Sequence, residues 1–386
     1  MIEGVGLAVG LSAAQSNAVR GIEEICSQEL DSRTLRRRVA ARLSRLIHWD
    51  AACFGTVDPW TMLITDEVAE GISPELHALA ARNEYLVDDV HKCVTLARSG
   101  QRVGILSRVA SEGLRHSHRL RAIMPTFDAW HEMRCACVAD GQCWGAIAMF
   151  RTGDSPGFSS AEAALLREAS VPLAVGLRLA AHRPGAYVGV TADPDGPGVL
   201  ILGPRSETLM ANDAAGRWLD ELTPASPGRG RALPLAVHQV AARTLARAGG
   251  PDGEPGRLPR AYARVRTRSG RWLTLQGSLT DGGLPHGPGV VVVIDAAPSS
   301  DIAELLMLSH GLTHRERQVV QCVIAGKTSA VIAAQLHISA NTVQDHLKAI
   351  FAKVGVRSRG QLVAQLLYQH YLPASDLQTA LPALSP

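Results

Sequence analysis

The polar side chains between Ser339 and Lys348 could form hydrogen bonds with a nucleic acid. Gln344 carries a donor and an acceptor, which together match the major-groove edge of adenine. Asp345 carries only acceptors, which either accept from the amino group of cytosine or favour the N-terminus of a helix electrostatically. If this segment is helical, both side chains lie on its outward face together with Asn341 and Lys348.

The rest of the sequence shows no pattern typical of an enzyme. It contains no Gly-x-Ser-x-Gly elbow, no His-Glu-x-x-His helix and no paired carboxylates. The segment Gly326-Lys327-Thr328 is similar to the end of a phosphate-binding loop, but Gln321 stands where that loop needs glycine. We therefore expect neither enzymatic activity nor catalytic residues.

Cysteines and histidines were considered as metal or redox groups. Cys135, Cys137 and Cys143 lie on or near one predicted hairpin, where a thiol or metal sensor is conceivable, but their spacing matches no standard zinc pattern. Small buried apolar side chains are the favoured interpretation, and all seven cysteines are expected to be reduced. The histidines that could line a pocket around a haem or metal, although a loop or surface position is favoured for each, are His91, His116, His118 and His131. We predict no metal site and no cofactor.

Capping signals predict the helices that position the outward-facing residues. Thr313 and Glu316 form a capping box at the start of one helix. Thr328 or Ser329 caps a second helix, and Ser339 caps a third. The predicted apolar face of the third helix consists of Val343, Leu347, Ile350 and Val354. Two short helices, a tight turn and a third helix with a polar outer face constitute a helix-turn-helix.

A fourth helix is predicted to begin at Ser358, which forms another capping box with Gln361. Its predicted apolar face consists of Leu362, Val363, Leu366 and Leu367. Between Thr313 and Tyr371, seven Lys and Arg residues oppose two acidic ones, a formal charge of +5, whereas the whole chain carries +3. This concentration of positive charge favours contact with phosphates.

Four short motifs occur in order along the same segment. They are Leu312-Thr313-x-Arg315-Glu316, Ile332-Ala333-x-x-Leu336-x-Ile338-Ser339, Thr342-Val343-x-x-His346-Leu347 and Lys353-Val354-Gly355-Val356-x-Ser358-Arg359. Together they resemble the LuxR-type C-terminal DNA-binding domain. The resemblance implies that the third helix enters the major groove and that the fourth forms a dimer contact.

The resemblance also implies residue roles. By position, Gln344, Asp345 and Lys348 face the bases. The residues placed nearer the phosphates are Asn341, Thr342 and Lys353. The implied DNA-binding set is Ser339, Asn341, Thr342, Gln344, Asp345, Lys348, Lys353, Arg357 and Arg359, and the implied dimerisation set is Leu362, Val363, Leu366 and Leu367. Two departures matter, because Gln344 stands where the family frequently has Lys and Val331 stands where it commonly has Glu. The operator therefore cannot be copied from relatives.

The N-terminal half alternates helical and strand patterns. Leu35, Val39, Leu43 and Ile47 recur every four residues, which predicts an amphipathic helix. The predicted strands are Ala51–Val57, Met62–Ile64, Met133–Ala139 and Cys143–Arg151, the last two forming a hairpin around Asp140-Gly141. A closing helix runs from Ser159 or Ser160 to about His182. Residues 31–182 resemble a GAF domain.

A second sheet is predicted after the Pro/Gly-rich join Pro184–Pro197. Its strands are Val199–Leu202, Ala263–Arg268, Trp272–Gly277 and Val290–Ile294, with a helix that includes Trp218 and Leu219. This pattern resembles a PAS domain over residues 186–297. The segments Pro224–Arg231 and Ala248–Pro259 are Gly/Pro-rich and are predicted to be mobile loops.

These observations predict a multidomain α+β protein, with two antiparallel-sheet sensory domains followed by an all-α four-helix domain. The predicted divisions are a helical extension (1–30), the GAF-like domain (31–182), the PAS-like domain (186–297), a connector helix (299–311), the helix-turn-helix domain (312–371) and a tail (372–386).

The sequence predicts that the protein is a transcription regulator. Its expected partners are double-stranded DNA, a second copy of the chain, an unidentified small-molecule effector and RNA polymerase, but no membrane. Because the N-terminus lacks a basic signal region, we expect a cytoplasmic location. The alternative is a ligand-sensing protein or enzyme whose C-terminal helices contact proteins rather than DNA.

Overall fold

The computed structural model describes residues 11–109, 111–183, 196–223, 232–249, 258–280 and 289–367. The chain divides into two compact units, the first comprising residues 1–180, 190–268 and 273–295, and the second residues 181–189, 269–272 and 296–386. The predicted tail, the predicted loop Pro224–Arg231 and most of the predicted join lie outside the described residues, as do the first ten residues. The same holds for most of the predicted loop Ala248–Pro259, whose first two residues are helical, contrary to the prediction.

The first unit contains two sheets, of which the first is a five-stranded antiparallel sheet in the order β2-β1-β5-β4-β3. Its strands are β1 (Ala51–Val57), β2 (Ile64–Glu70), β3 (Val103–Ile105), β4 (Ala129–Ala139) and β5 (Gln142–Thr152). The predicted hairpin between β4 and β5 is confirmed. It turns at Asp140 and Gly141, which have φ of 50° and 73°, as a two-residue hairpin turn requires.

The described residues between 11 and 183 also form six α-helices. They are α1 (Ala13–Ser27), α2 (Ser32–Leu43), α3 (His77–Leu86), α4 (Cys93–Arg98), α5 (Ser111–His116) and α6 (Ser160–His182). The side chain of Asp31 accepts hydrogen bonds from the amides of Arg33 and Thr34 and so begins α2. Leu35, Val39 and Leu43 are at most 1% exposed, which confirms this part of the predicted apolar face. Ile47 is also buried, but α2 ends at Leu43, so its predicted place in the helix is wrong.

The second sheet is also five-stranded, in the order β7-β6-β10-β9-β8. Its strands are β6 (Gly198–Leu202), β7 (Thr208–Ala211), β8 (Tyr262–Arg266), β9 (Trp272–Leu279) and β10 (Val290–Ala296), and its helices are α7 (Asp213–Leu222) and α8 (Leu235–Gly249). The side chain of Asn212 accepts from the amide of Ala215 and so caps α7. It also accepts from the amide of Val199 at 2.8 Å, which ties the cap to β6.

The two sheets are joined by buried contacts within the first unit. Leu63, which immediately precedes β2, belongs to the apolar core of the second sheet. The Tyr85 hydroxyl of α3 donates to Gln239 Oε1 of α8 at 2.5 Å, and the Arg243 guanidinium lies 4.5 Å from the centre of the Tyr85 ring. The parts predicted as separate sensory domains therefore share a continuous interior.

A buried ion pair joins Asp58, which lies between β1 and β2, to Arg264 of β8. Arg264 Nε and Nη2 donate to the two carboxylate oxygens of Asp58, both at 2.8 Å. The side chains are 1% and 3% exposed. Two parallel hydrogen bonds match the planar guanidinium to the carboxylate, which offsets the loss of hydration of both charges.

The strand predicted at Met62–Ile64 is wrong for its first two residues. The Asp58 carboxylate accepts from the amides of Trp60 and Thr61 at 2.9 and 3.3 Å, which closes a turn. Met62 then has φ of 61°, outside the strand region, and β2 begins at Ile64. The side chain of Asp58 thus ends one strand and delays the next.

In the part of the second unit that the structure describes, the chain forms five α-helices. They are α9 (Ser299–Ser309), α10 (His314–Ile324), α11 (Ser329–Leu336), α12 (Ala340–Val354) and α13 (Arg359–Leu367). Ile302 and Leu306 of α9 share one apolar core with Leu362 and Leu366 of α13. The helix predicted as a connector is therefore part of the core that holds the other four.

The cysteines of the predicted hairpin are buried thiols. Cys135, Cys137 and Cys143 are 2%, 0% and 3% exposed, and none is in a disulfide. A hydrogen bond from Cys135 and burial raise the pKa of the Cys137 thiol well above its ordinary value, which disfavours the reactive thiolate.

Among the described residues, no helix combines the length and the apolar character needed to cross a bilayer.

We predict that Asp58→Ala destabilises the first unit by about 3–5 kcal/mol, because it removes one partner of a buried ion pair. The measurement is chemical unfolding of the full chain, with Asp88→Ala as the control, since Asp88 is an exposed aspartate of the same unit. An equal loss of stability in both variants would contradict the importance of the pair.

Candidate nucleic-acid interface

Helix α12 is held by one apolar side. Ser339 caps its start, accepting from the amide of Thr342 at 3.0 Å, and Gly355 ends it with φ of 78°. The side chains of Val343, Leu347, Ile350 and Val354 are all buried in the core of the second unit. The apolar face predicted from the sequence is confirmed, and the opposite side of the helix faces outward.

The outward side of α12 carries the predicted polar residues. Asn341, Gln344, Asp345 and Lys348 are all exposed. Lys348 Nζ lies 3.9 Å from Asp345 Oδ1, with the side chains 81% and 75% exposed. A surface pair of this kind is weak, so both charges remain available to another molecule.

Ser339 and Thr342 have a local structural role at the start of α12. Their hydroxyl oxygens lie 2.8 Å apart, and the Ser339 hydroxyl also accepts the capping hydrogen bond. Both therefore stabilise the helix N-terminus, where backbone amides and the helix dipole favour an anion. The predicted contact of these two residues with DNA stays a prediction.

Lys353, predicted to lie near phosphates, is bonded within the unit. Its Nζ donates to Glu316 Oε2 at 2.7 Å and to the Gly311 carbonyl at 3.3 Å. Glu316 also completes the predicted capping box, since its carboxylate accepts from the amide of Thr313 at 2.7 Å. Burial raises the pKa of the Glu316 carboxyl, but the hydrogen bonds from Lys353 and Thr313 outweigh burial and hold this pKa below its ordinary value.

Arg359 is also held by internal contacts. Its Nη1 donates to the Lys327 carbonyl at 3.1 Å and its Nη2 to the Ser329 hydroxyl at 2.7 Å. Arg357 is exposed. The predicted capping box between Ser358 and Gln361 is only half present. The amide of Gln361 donates to the Ser358 hydroxyl, but Gln361 Oε1 accepts from the amide of Arg357, at 2.8 Å, instead of from the amide of Ser358.

Ser329 was considered in the sequence only as a helix cap, yet it contacts two predicted DNA-binding residues. Its hydroxyl accepts from Gln344 Nε2 at 3.0 Å as well as from Arg359. The cap of α11 is Thr328, whose hydroxyl accepts from the amide of Val331. Since Ser329 is 15 and 30 positions away from these partners, no local pattern could have revealed the contacts.

The predicted dimerisation set divides into two pairs. Leu362 and Leu366 are 0% and 1% exposed and lie in the core that includes α9. Val363 and Leu367 are half-buried and pack at the edge of this core. The role of all four residues in a dimer stays a prediction, and the half-buried pair is the accessible part of it.

We predict that Glu316→Gln destabilises the second unit by about 1 kcal/mol at neutral pH, because the amide keeps the capping box but loses the charge that pairs with Lys353. Glu316→Ala loses both contacts and costs about a further 1 kcal/mol. Because the folded-state pKa of Glu316 is lowered, its contribution is complete above the ordinary pKa of glutamate and is lost as the pH falls through the folded value.

This pH dependence gives the test. In chemical unfolding of the full chain, with hydrogen exchange in α10 identifying the second unit, the difference between wild type and Glu316→Gln should disappear in acid. Glu304→Gln in α9 serves as the control. A difference that stays constant from neutral pH down to acid would show that the carboxylate charge is not responsible.

Sequence comparison identifies a known family in the region that contains this interface. The profile described as "Bacterial regulatory proteins, luxR family" matches residues 310–366. The spore germination protein GerE of Bacillus subtilis is 43% identical over 56 residues, which are 14% of this chain and 76% of that protein. The monoamine regulon transcriptional regulator of Klebsiella aerogenes is 46% identical over 65 residues, 17% of this chain and 27% of that protein.

The other similarities are partial. A probable transcriptional regulatory protein NarL of Mycobacterium tuberculosis is 34% identical over 61 residues, so that the chain spans 28% of its length. Among solved structures, a GAF domain/HD domain protein from Geobacter sulfurreducens aligns with 39% of this chain and 93% of its own, at 18% identity and a TM-score of 0.30. Escherichia coli SdiA aligns with 92% of this chain and 99% of its own, at 12% identity and a TM-score of 0.34. No functional argument rests on structural matches this weak.

The family assignment therefore depends on the sequence match, which covers α10 to α13 together with the turns between them. The region shared with the germination protein covers 76% of that protein. The chain belongs to the luxR family of bacterial regulatory proteins.

Proposed function

We propose that this regulator binds double-stranded operator DNA by placing α12 in the major groove. The observation that supports the proposal is the exposed side of α12, where a donor-acceptor amide, a carboxylate and an ammonium group lie within two turns. The major groove admits an α-helix, and these groups match the base edges displayed there. The opposite side of the helix is fixed in a core, so the polar groups are presented by a rigid element.

Phosphate contacts in this proposal come from the exposed cations around α12, Lys348 and Arg357. The N-terminus of α11 also lies close to α12, because its first residue, Ser329, is hydrogen-bonded to Gln344. Backbone amides at a helix N-terminus are suited to a phosphate oxygen. Lys353 and Arg359 add positive charge to the surface while their donors hold the fold.

We further propose that two copies bind a two-fold symmetric operator. One helix-turn-helix contacts few base pairs, and a second copy doubles the contacts and the specificity. The accessible part of α13, with Ala364 exposed beside Val363 and Leu367, is the surface proposed for the contact between copies.

The two sheets of the first unit are proposed to sense a small-molecule effector in the cytoplasm, with RNA polymerase as a further partner and no catalytic step. This part of the proposal is supported by the resemblance of the N-terminal half to sensory domains. The PAS-like assignment of the second sheet stays a prediction. If the C-terminal helices served only protein contacts, the chain would show no salt-dependent affinity for DNA.

We predict that Lys348→Ala weakens operator binding about tenfold, since one good base contact is worth roughly 1–3 kcal/mol. The probe is a duplex selected by the wild-type chain from a randomised library, and binding is followed by fluorescence anisotropy at fixed salt. Lys92→Ala is the matched control, because Lys92 belongs to the first unit and its side chain makes no capping hydrogen bond. Unchanged affinity of Lys348→Ala would remove this residue from the interface.

We predict that Ala364→Arg reduces the affinity for a two-half-site operator but not for a single half-site. The new charged side chain would project from the exposed face of α13 without entering the core, and would repel its copy across a two-fold contact. Sedimentation of the protein-DNA complex measures the number of chains bound. A complex with two copies and wild-type affinity would exclude this face of α13 as the dimer contact.

A further inference from the structure

The side chain of Gln344 is restrained by a hydrogen bond on the exposed surface. Its Nε2 donates to the hydroxyl of Ser329 at 3.0 Å, which links the outward face of α12 to the first residue of α11. A glutamine on a helix surface otherwise samples several rotamers. The contact selects the rotamers that direct the amide towards the start of α11.

The hydroxyl of Ser329 is itself fixed by a second helix. Arg359, the first residue of α13, donates from Nη2 to this hydroxyl at 2.7 Å and from Nη1 to the Lys327 carbonyl at 3.1 Å. Arginine has only donors, so the Ser329 oxygen must act as the acceptor in that contact. The position of Ser329 is therefore set by the fold, and the glutamine is attached to a fixed point.

The restrained amide keeps the groups that recognise one base. One N–H of Gln344 is used by Ser329, which leaves the second N–H and Oε1. An N–H that donates to N7 and an oxygen that accepts from the N6 amino group form the bidentate pair with adenine. The other bases do not present this combination of acceptor and amino donor side by side in the major groove.

We propose that Ser329, held by Arg359, is a positioning residue that fixes the Gln344 amide for adenine recognition at one base pair of each operator half-site. This inference rests on the proposed function. The chemistry of the partner is thereby narrowed to a duplex with an adenine at the position that faces Gln344. Arg359 acts here through Ser329 rather than through a phosphate.

If the hydrogen bond from Gln344 to Ser329 is removed, we expect the preference for adenine over the other bases to decrease. Immobilising a side chain with many rotamers on binding typically reduces affinity by about 2- to 10-fold. In the wild-type chain the Ser329 contact has already imposed part of this restriction. Without it, Ser329→Ala should discriminate adenine from the other bases at that position about 2- to 10-fold less well.

The experiment uses the full chain and a duplex selected by it from a randomised library. Substitution of each base pair, with affinities measured for wild type and Gln344→Ala, identifies the position at which Gln344 prefers adenine. At that position Ser329→Ala should lose discrimination, Ser329→Thr should restore it because the hydroxyl is kept, and Ser300→Ala, an exposed serine of α9, should have no effect.

A positioning role and a structural role give different results. The proposal expects the slope of affinity against salt and the preference at all other base pairs to be unchanged in Ser329→Ala. Equal loss at every position, or full adenine discrimination without the hydroxyl, overturns it. A wild-type chain that binds DNA but shows no preference sensitive to Gln344→Ala overturns this inference alone, whereas a chain with no affinity for DNA overturns the proposed function as well.

Discussion

The burial of one side of α12 is the constraint on which the arrangement of the second unit depends. The four apolar residues of that side are at most 4% exposed. Because a helix has 3.6 residues per turn, the opposite side faces outward, and the exposed residues there are Asn341, Gln344, Asp345 and Lys348. The same core takes its other members from α9, α10, α11 and α13. None of these helices can be reoriented without opening the core that directs the polar residues, which makes presentation of the candidate base contacts a consequence of packing.

Local signals in the sequence were sufficient to predict the helices of this unit. They did not predict the contacts between residues far apart in the sequence. The capping box at Thr313 and Glu316 and the cap at Ser339 involve residues three positions apart, and all of them are present. The contacts of Lys353 with Glu316 and of Arg359 with Ser329 join residues 37 and 30 positions apart. A cation looks the same in a sequence whether it meets a phosphate or a carboxylate of its own fold, so these two roles could only be read from the structure.

Helix α8 shows the same limit in the first unit, because its polar side chains make contacts that no local pattern predicts. Eleven of its fifteen residues are buried, among them Gln239 and Arg243. The side chains of Gln239 and Arg243 meet Tyr85 of α3 instead of water. The polar side of this helix therefore does not mark a solvated face. The contact between the two sheets could not be predicted for this reason, since polar residues such as Gln239 and Arg243 are typical of a solvated surface.

The internal bonds of Lys353 and Arg359 also alter the electrostatics of DNA binding. Each phosphate contact makes the logarithm of the affinity fall by about 0.9 for every tenfold increase in salt. A count of all seven cations overstates this effect, because most of them donate hydrogen bonds within the unit, namely Arg315, Arg317, Lys327, Lys353 and Arg359. A single domain then has few phosphate contacts with which to hold a duplex. Under the proposed function, specific affinity would then depend on base contacts and on the proposed second copy at the same operator, which is why the restraint of Gln344 and the accessible face of α13 carry more weight here than the net charge.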